Sequence, residues 1–572
     1  MAVWRLKSKG SGTLLEQVLK SRKIGQQPVY GLPNLKEAVQ FIKDNINDPI
    51  SIFGDYDVDG VCGSLVLKRC IEKAGGNAVV RLPSREEGYG IKPQHVEEFK
   101  KMGINTIITV DNGVTAFEAV EAAKQHGMNI IITDHHEPRN ILPDCIVVNP
   151  KIRRHGFRDY SGAGVAYMLG HALLKSIGKE VDDDLLGLVS LATVADIVPL
   201  VGPNFKMARK GLLQMRQNPS VGIRALIDVA GVSKLDGYAF GWQLGPRINA
   251  AGRMGDPMIA FNLLSTTDPK EAQRLAKELD TANKARQELV EKAVEECMKT
   301  YDGSLFPVFV GNYPHGVVGI VAGRIANTIR RPTIVGAVQD DGTVRASGRS
   351  VGEFSLLNAL YEVNNKHPIF QKFGGHKMAC GLEILQEDVP KLQEALNLIA
   401  ADKLTVYDIT EFLDIDGIIS HVPSVEEVEE LDKLEPFGEQ NPEPVFAMSG
   451  PIDWIKTGDN WKLVSVRGVK FFADPDAVLT EGQTVHLAFT PYVSEYGGQK
   501  EVMARVKDIK DKILTRDKLL GSFKEWCEGQ NIDKLEERVF EELGFSRTGK
   551  VANKVAKRNL IVSGTFRKYG VI

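Results

Sequence analysis

Residues 51–60, SIFGDYDVDG, decide the fold. An apolar run ends in a charged turn in which Asp55, Asp57 and Asp59 fall at every second position. Carboxylates gathered this closely repel one another and are costly to hold unless a cation sits among them, and a divalent metal is the usual answer. Two apart at an extended strand end, Asp57 and Asp59 are expected on one side with a metal between them. Residues 106–110, TIITV, run in the same way into Asp111, Asn112 and Gly113, and residues 129–133, NIIIT, into Asp134, His135 and His136. Each is an apolar strand that delivers metal-type ligands at its C-terminal end, where open parallel α/β sheets place their sites.

Amphipathic segments such as 115–126 alternate with the apolar runs between 50 and 200, which predicts βαβ units and a parallel sheet. IVV at 146–148 is a further strand. The glycines of SGAGVA (161–166) read as permitting close helix packing rather than cradling phosphate. Asp184 to Leu200 is apolar on nearly every face, a buried helix with Asp196 inside it, and a carboxylate there calls for a cation or a strong donor. The adjacent His135 and His136 are expected to point in different directions, one to metal and one to substrate. Mixed Asp and His donors suit Mn²⁺ or Mg²⁺. Two such ions about 3.5 to 4 Å apart support phosphoryl displacement, which makes phosphoester hydrolysis the leading chemistry. No GxxxxGK[ST] phosphate loop is present, so nucleotide-driven work is disfavoured.

Elsewhere the signals are structural. Residues 1–45 are polar with one helix-like piece at 34–43, and 267–301 reads as a long helix. A second α/β region starts near 305 and carries the Gly-rich stretches RASGRS (345–350) and GGHKMACG (374–381). Beyond 406 short β-runs predict a small barrel. Within it Val425, Val428, Leu431 and Leu434 recur every three residues beside a solvated acidic face, and the tail from 511 ends in a basic stretch at 547–568. The expected divisions are 1–45, 46–200, 201–302 (a helical connector), 303–405, 406–510 and 511–572. With 572 residues, 43% hydrophobic and 25% charged, several ordinary globular domains are expected, and a net charge of −3 argues against a basic protein that coats nucleic acid. Six scattered cysteines without CxxC spacing argue against a zinc ribbon or a disulfide framework. The first residues lack the apolar core of a signal peptide, and no apolar run is long enough to span a bilayer, so a soluble, cytoplasmic protein without a membrane partner is expected.

GDYDVDG (54–60), VDNG (110–113), DHH (134–136) and ADIVP (195–199), in this order, resemble the four motifs of the DHH phosphoesterases, and GGHKMACG resembles the GGHxxAAG signature of their DHHA1 domain. RINAAGRM (247–254) and EPFGEQNP (435–442) are similar, more narrowly, to the RecJ-like exonucleases, which degrade single-stranded DNA from 5′ to 3′ in repair and recombination. The resemblance implies an α/β fold: a parallel-sheet DHH domain and a DHHA1 domain joined by a long helix, then an OB-like barrel. It implies two divalent ions, Mn²⁺ or Mg²⁺, on Asp57, Asp59, Asp111, His135 and Asp196, with Asp55 and Asp134 as further ligands or as partners that orient a histidine. His136 would meet the scissile phosphate, so that Asp111, Asp134, His135 and His136 form the catalytic group. Arg85 and Tyr89 resemble a backbone-contacting and stacking pair. Arg247, Asn249, Gly374, Gly375 and His376 belong to the substrate-binding motifs, and Ser347 and Arg349 with Arg253 would receive a 5′-terminal phosphate.

Departures from the family pattern are Phe53 where many relatives have histidine, Gln440 where glycine is expected, a histidine displaced by one at Tyr313–Pro314–His315, and a short spacing from Arg85 to Tyr89. Trp454, Trp461, Phe471, Phe472, Tyr492 and Tyr496 lie among cations in the barrel segment, and one or two are expected to stack on bases. Single-stranded DNA is the implied partner, with a single-strand-binding protein or a helicase as candidate protein partners. Competing readings are a DHH phosphodiesterase for short oligonucleotides or other small phosphoesters, against which the C-terminal strands count, and a non-catalytic replication scaffold, against which the intact acidic motifs count.

Overall fold

The computed structural model describes residues 2–7, 12–22, 24, 31–153 and 155–510, so the basic stretch at 547–568 lies outside the described residues. The chain forms two compact units. One takes 22–287 together with Leu431–Glu443; the other takes the described parts of 1–21, 288–430 and 444–572. Among the described residues every cysteine is free and no helix is long and apolar enough to cross a membrane.

The first unit is built on a five-stranded parallel sheet in the order Asn77–Arg81, Pro49–Phe53, Thr106–Val110, Asn129–Thr133, Ile146–Val148. Pro49–Phe53 has the next strand in sequence on one side and the one after on the other. The crossovers therefore leave in opposite directions and open a crevice at the strands' C-terminal ends. Residues 106–110 are wholly buried, because helices cover both faces. Ile108, Val110 and Ile131 join the core of Val58–Ala74 and Gly162–Ser176, while Ile107, Ile130 and Ile132 join that of Pro93–Lys101 and Phe117–Gln125. One strand thus feeds two cores by alternation.

The apolar helix begins at Asp184 and ends at Ala195, shorter than its pattern suggested. Ile197 takes a left-handed backbone (φ 58°), which stops the helix and leaves Asp196 at its C-terminal end with a side chain 27% exposed, rather than inside a buried helix. For a β-branched residue this conformation is a strained exception. Helix Pro269–Lys299 gives Leu275 and Leu279 to this unit's core and Val290, Ala293 and Cys297 to a core of the other.

Leu431–Glu443 returns to the first unit. Glu435, 3% exposed, meets Arg216 at 2.5 Å and Lys234 at 2.8 Å, and Leu200 N donates to Glu439 O at 2.8 Å. Gln440 holds a left-handed φ of 57°, which accounts for the glycine expected there.

In the second unit Val3–Leu6 pairs in parallel with Phe412–Ile415. A five-stranded sheet runs Phe370–Gly375, Ala379–Leu385, Thr343–Arg349, Thr333–Val338, Val308–Gly311. Beyond it Phe446–Gly458, Trp461–Val466, Val469–Ala473, Gln499–Lys510 and Thr484–Tyr496 pair in that order, and the last pairs back onto the first, closing a barrel around the fully buried Phe446, Phe471 and Phe489. The three-residue spacing at 425–434 belongs to a short helix that tightens into a 3₁₀ turn at Glu430–Leu434.

Candidate metal and phosphate site

The aspartates of residues 55–59 do not prolong a strand. Pro49–Phe53 ends before them, and Asp57 caps helix Val58–Ala74, its Oδ1 accepting from Asp59 N (3.0 Å) and Gly60 N (3.1 Å). Asp59 lies in the first turn of that helix, and its carboxylate accepts from Gly162 N (2.5 Å) and Ala163 N (2.8 Å) at the N-terminus of Gly162–Ser176. Asp57 and Asp59, expected to hold a metal between them, fall in different donor groups: Asp55, Asp57 and Asp111 in one, Asp59, His135 and Asp196 in another, with Asp111, His135 and His136 overlapping both. Within each group the donor atoms lie within 4.8 Å of one another.

Asp111 joins the groups and sits in a left-handed turn (φ 65°) directly after its strand. Asn112 secures that turn by donating to Phe53 O (3.1 Å) and Val110 O (2.9 Å). His135 Nε2 lies 3.0 Å from Asp111 Oδ1 and 3.7 Å from carboxylate oxygens of Asp59 and Asp196. Among the described residues neither Asp55 Oδ1 nor Asp111 Oδ1, both buried, accepts a well-aligned hydrogen bond, the close His135 Nε2 included. Burial, then the neighbouring carboxylates, pushes Asp59 up to about 7 and holds Asp55, Asp111 and Asp196 well above the ordinary carboxyl range. Burial, then His136, draws His135 down to about 3, which leaves a neutral imidazole free to ligate. Orphaned carboxylate oxygens, crowded acids and a neutral histidine fit hard divalent cations such as Mn²⁺ or Mg²⁺. Phe53 supplies no ligand; it is fully buried against the His95 ring (centroids 4.7 Å).

Asp134 orients its neighbours. Its Oδ1 accepts from His135 N (2.7 Å), His136 N (3.0 Å) and His136 Nδ1 (2.8 Å), and its Oδ2 from Val114 N (2.8 Å). Burial works against the His136 cation, but Asp134 outweighs it and raises that pKa. The two histidine rings meet edge to face (centroids 4.5 Å) and both approach Asp111, so they converge where divergence was expected. They differ in access, with side chains 37% exposed for His136 and 10% for His135. Tyr89 places its hydroxyl 3.0 Å from His136 Nδ1 and 3.1 Å from Asp111 O.

Around this centre the Arg85 guanidinium lies over the Tyr56 ring (4.6 Å). Burial, then Arg85 and Arg286, lowers Arg253 to about 10 against the opposing pull of Asp57 and Tyr56. Asn249 is engaged by the metal loop, its Oδ1 accepting from Val58 N (2.9 Å), and Arg247 is paired with Asp280 (2.9 Å). Asn249 therefore contacts the loop that carries the acids, Arg247 is held by an ion pair away from them, and Arg85, Tyr89 and Arg253 stand around the site. The sequence pattern assigns Asn112 no part in holding the Asp111 turn, and Gly162 only a part in helix packing. The signal for Gly162 was present in SGAG: its missing Cβ would stand 2.5 Å from Asp111 Cβ.

In the second unit Arg349 ends a strand and does not sit in a turn. Across the sheet Gly374 faces Gly381, which faces Ser347, and Ala379 faces Arg349. Arg349 Nη1 donates to Ser347 Oγ (2.8 Å), and among the described residues this half-buried guanidinium has no carboxylate partner. A Cβ on Gly374 or Gly381 would meet nothing within 4 Å, so bare backbone lies open beside Ser347. Gly375 (φ 141°) begins the turn in which the exposed His376 donates its N–H to Ala379 O (2.8 Å). In the barrel Trp461 (44%), Phe472 (37%) and Tyr496 (91%) are exposed, Phe471 is core, and Trp454 and Tyr492 are half-buried beneath Lys456 and Arg505.

Three family models match: the DHH family, N-terminal domain over residues 49–193, the DHHA1 domain over 302–402 and the RecJ OB domain over 419–508. The single-stranded-DNA-specific exonuclease RecJ of Bacillus subtilis is 34% identical over 506 residues, 84% of this chain and 64% of that protein, so this chain spans just under two thirds of that relative's length. The protein of the same description from Salmonella typhimurium is 30% identical over 85% of this chain and 92% of its own length. The crystal structure of RecJ in complex with Mn²⁺ from Thermus thermophilus superposes with a TM-score of 0.77 at 25% identity, covering 90% of this chain and 80% of that one.

Proposed function

This chain belongs to the RecJ family of DHH phosphoesterases, and from that premise we propose that it is a metal-dependent exonuclease that hydrolyses phosphodiester bonds of single-stranded DNA from the 5′ end, in repair and recombination. The observation that carries the reading is the convergence of Asp55, Asp57, Asp59, Asp111, His135 and Asp196 at the crevice of the parallel sheet. Mn²⁺ or Mg²⁺ held there would supply Lewis acidity, lowering the pKa of an attacking water and neutralising charge on the phosphoryl oxygens.

The chain's own groups do the rest. Asp134 keeps the proton on His136 Nδ1 and favours the imidazolium, so the exposed face of His136 offers positive charge to a non-bridging oxygen of the scissile phosphate, where negative charge grows in the transition state. Arg85 contacts the backbone of the DNA strand. Ser347 and Arg349, beside the open backbone of Gly374 and Gly381 and the turn of Gly375 and His376, receive a 5′-terminal phosphate by charge-assisted hydrogen bonds. The barrel holds the strand through stacking and cations. We assign the chemistry to 46–200, recognition of the terminus to 303–405 and strand binding to 406–510, in a cytoplasmic protein to which a single-strand-binding protein or a helicase delivers the strand. The test is polarity. With Mn²⁺ or Mg²⁺, a 5′-labelled single strand should release its label before a 3′-labelled one, and duplex should resist. Equal release from both ends, or cleavage of short oligonucleotides alone, rejects the reading.

A further inference from the structure

Tyr89 stands at the tip of a loop between strand Asn77–Arg81 and helix Pro93–Lys101, flanked by two left-handed glycines, Gly88 (φ 81°) and Gly90 (φ 78°). The loop is pinned on both sides. Before the tip, Glu87 accepts from Arg81 Nη2 (2.6 Å) and Ser84 N (2.6 Å) and lies 3.3 Å from His95 Nε2. After it, Ile91 N donates to Asn112 Oδ1 (3.3 Å), and Asn112 is the residue that secures the Asp111 turn. These pins set one atom, the Tyr89 hydroxyl, between Asp111 O and His136 Nδ1.

The partners of His136 Nδ1 fix which way the tyrosine O–H points. The stronger partner of His136 Nδ1 is the carboxylate of Asp134 at 2.8 Å, which only accepts, so Nδ1 carries the proton. The tyrosine O–H then cannot donate to that nitrogen. It donates to the Asp111 carbonyl, and its oxygen takes the second share of the Nδ1–H. A ring that merely stacks on a base needs no hydroxyl, and phenylalanine would serve equally. The hydrogen bond to the Asp111 carbonyl, by contrast, requires the hydroxyl, and phenylalanine cannot make it.

We propose that the Tyr89 hydroxyl is a positioning group for phosphoester hydrolysis: it holds the Asp111 turn and sets the plane of the His136 ring. The proposal rests on the reading of this site as a phosphodiesterase. Such supporting hydrogen bonds around a metal site typically matter by about 10- to 100-fold in activity or metal affinity.

The test compares full-length wild type, Tyr89→Phe and Tyr89→Ala on 5′-phosphorylated oligothymidylate, with Mn²⁺ binding measured separately by calorimetry. Tyr89→Phe should lower kcat about tenfold or more, leave KM unchanged, melt as the wild type does and bind Mn²⁺ several-fold more weakly. Tyr89→Ala should add a rise in KM. Wild-type kcat and Mn²⁺ affinity in Tyr89→Phe overturn the proposal and leave stacking alone, and so does a change confined to KM. A lowered melting temperature with equal losses in kcat and oligonucleotide affinity also overturns it, in favour of a plain structural role. Should the wild type fail to cleave the oligonucleotide, the exonuclease reading falls by itself, while the Mn²⁺ comparison still decides whether the hydroxyl braces the site.

Discussion

Asp59 takes the backbone N–H of Gly162 at 2.5 Å, and Asp111 occupies the space where a side chain on Gly162 would stand. The partly positive N-terminus of a helix thus faces one acid of the cluster while its bare first residue admits another. Gly162→Ala should push Asp111 from its place, removing most hydrolysis and costing about 1 to 3 kcal/mol of stability, as overpacking does. Gly164→Ala, whose Cβ would find its nearest neighbour at 3.3 Å, is the control. Comparable activities in the two variants, read beside thermal melting, would show that the Asp111 position is not tightly set.

Asp111→Asn isolates charge from backbone, since asparagine accepts a left-handed turn as readily as aspartate. Hydrolysis should be abolished while affinity for single strands and the melting temperature stay close to wild type. Near-normal turnover in saturating Mn²⁺ would remove Asp111 from the ligand set.

Arg349 sits half-buried on Ser347 Oγ with no carboxylate partner among the described residues. Loss of a charge-assisted hydrogen bond of about 1.5 to 3 kcal/mol predicts that Arg349→Ala slows digestion of 5′-phosphorylated strands by about 10- to 100-fold. Strands bearing a 5′-hydroxyl should be affected much less. Equal slowing of both substrates argues against capture of the terminal phosphate.

Deleting everything after residue 405 would be a poor test of the barrel, because Leu431–Glu443 belongs to the unit that carries the metal site. Trp461→Ala and Phe472→Ala remove exposed rings and leave the buried Phe471 in place. At about 1 to 3 kcal/mol per stacked base, each should weaken binding to long single strands by about tenfold and spare cleavage of oligonucleotides a few nucleotides long. Unchanged binding at equal salt would reassign these rings.

Acid should loosen the Tyr89 loop in two stages. His95 is buried, and burial holds its pKa below 6.5, with Nδ1 accepting from Lys92 N (3.0 Å). The unfolded chain gains this proton first, so its contribution to stability falls as pH drops through 6.5. Burial alone would raise Glu87, but Arg81 and Ser84 prevail and bring it to about 2, so its contribution is lost between 4.5 and that value. Amide exchange in residues 82–92, corrected for intrinsic rates, should accelerate below pH 6.5 and again on further acidification. Exchange independent of pH across both windows would exclude the clamp.

Strand ends carrying acids, the alternation that makes a parallel sheet, the closing β-runs and the motifs of the DHH phosphoesterases were legible in the sequence, because each depends on residues a few positions apart. Gln440 is a local case of the same kind: the expected glycine marked a left-handed position that the structure then showed. Which carboxylates share a donor group was not legible. The turn of Asp57 into a helix cap and the stop imposed by Ile197 re-aim Asp57, Asp59 and Asp196 by backbone geometry that spacing does not encode. Glu435 reaching Arg216 and Lys234, Asp59 reaching Gly162, and the Tyr89 hydroxyl reaching Asp111 join residues distant in sequence. Tertiary packing alone decides such contacts, since each partner is chosen by how strands and helices stack and by the need of a buried polar atom to find another.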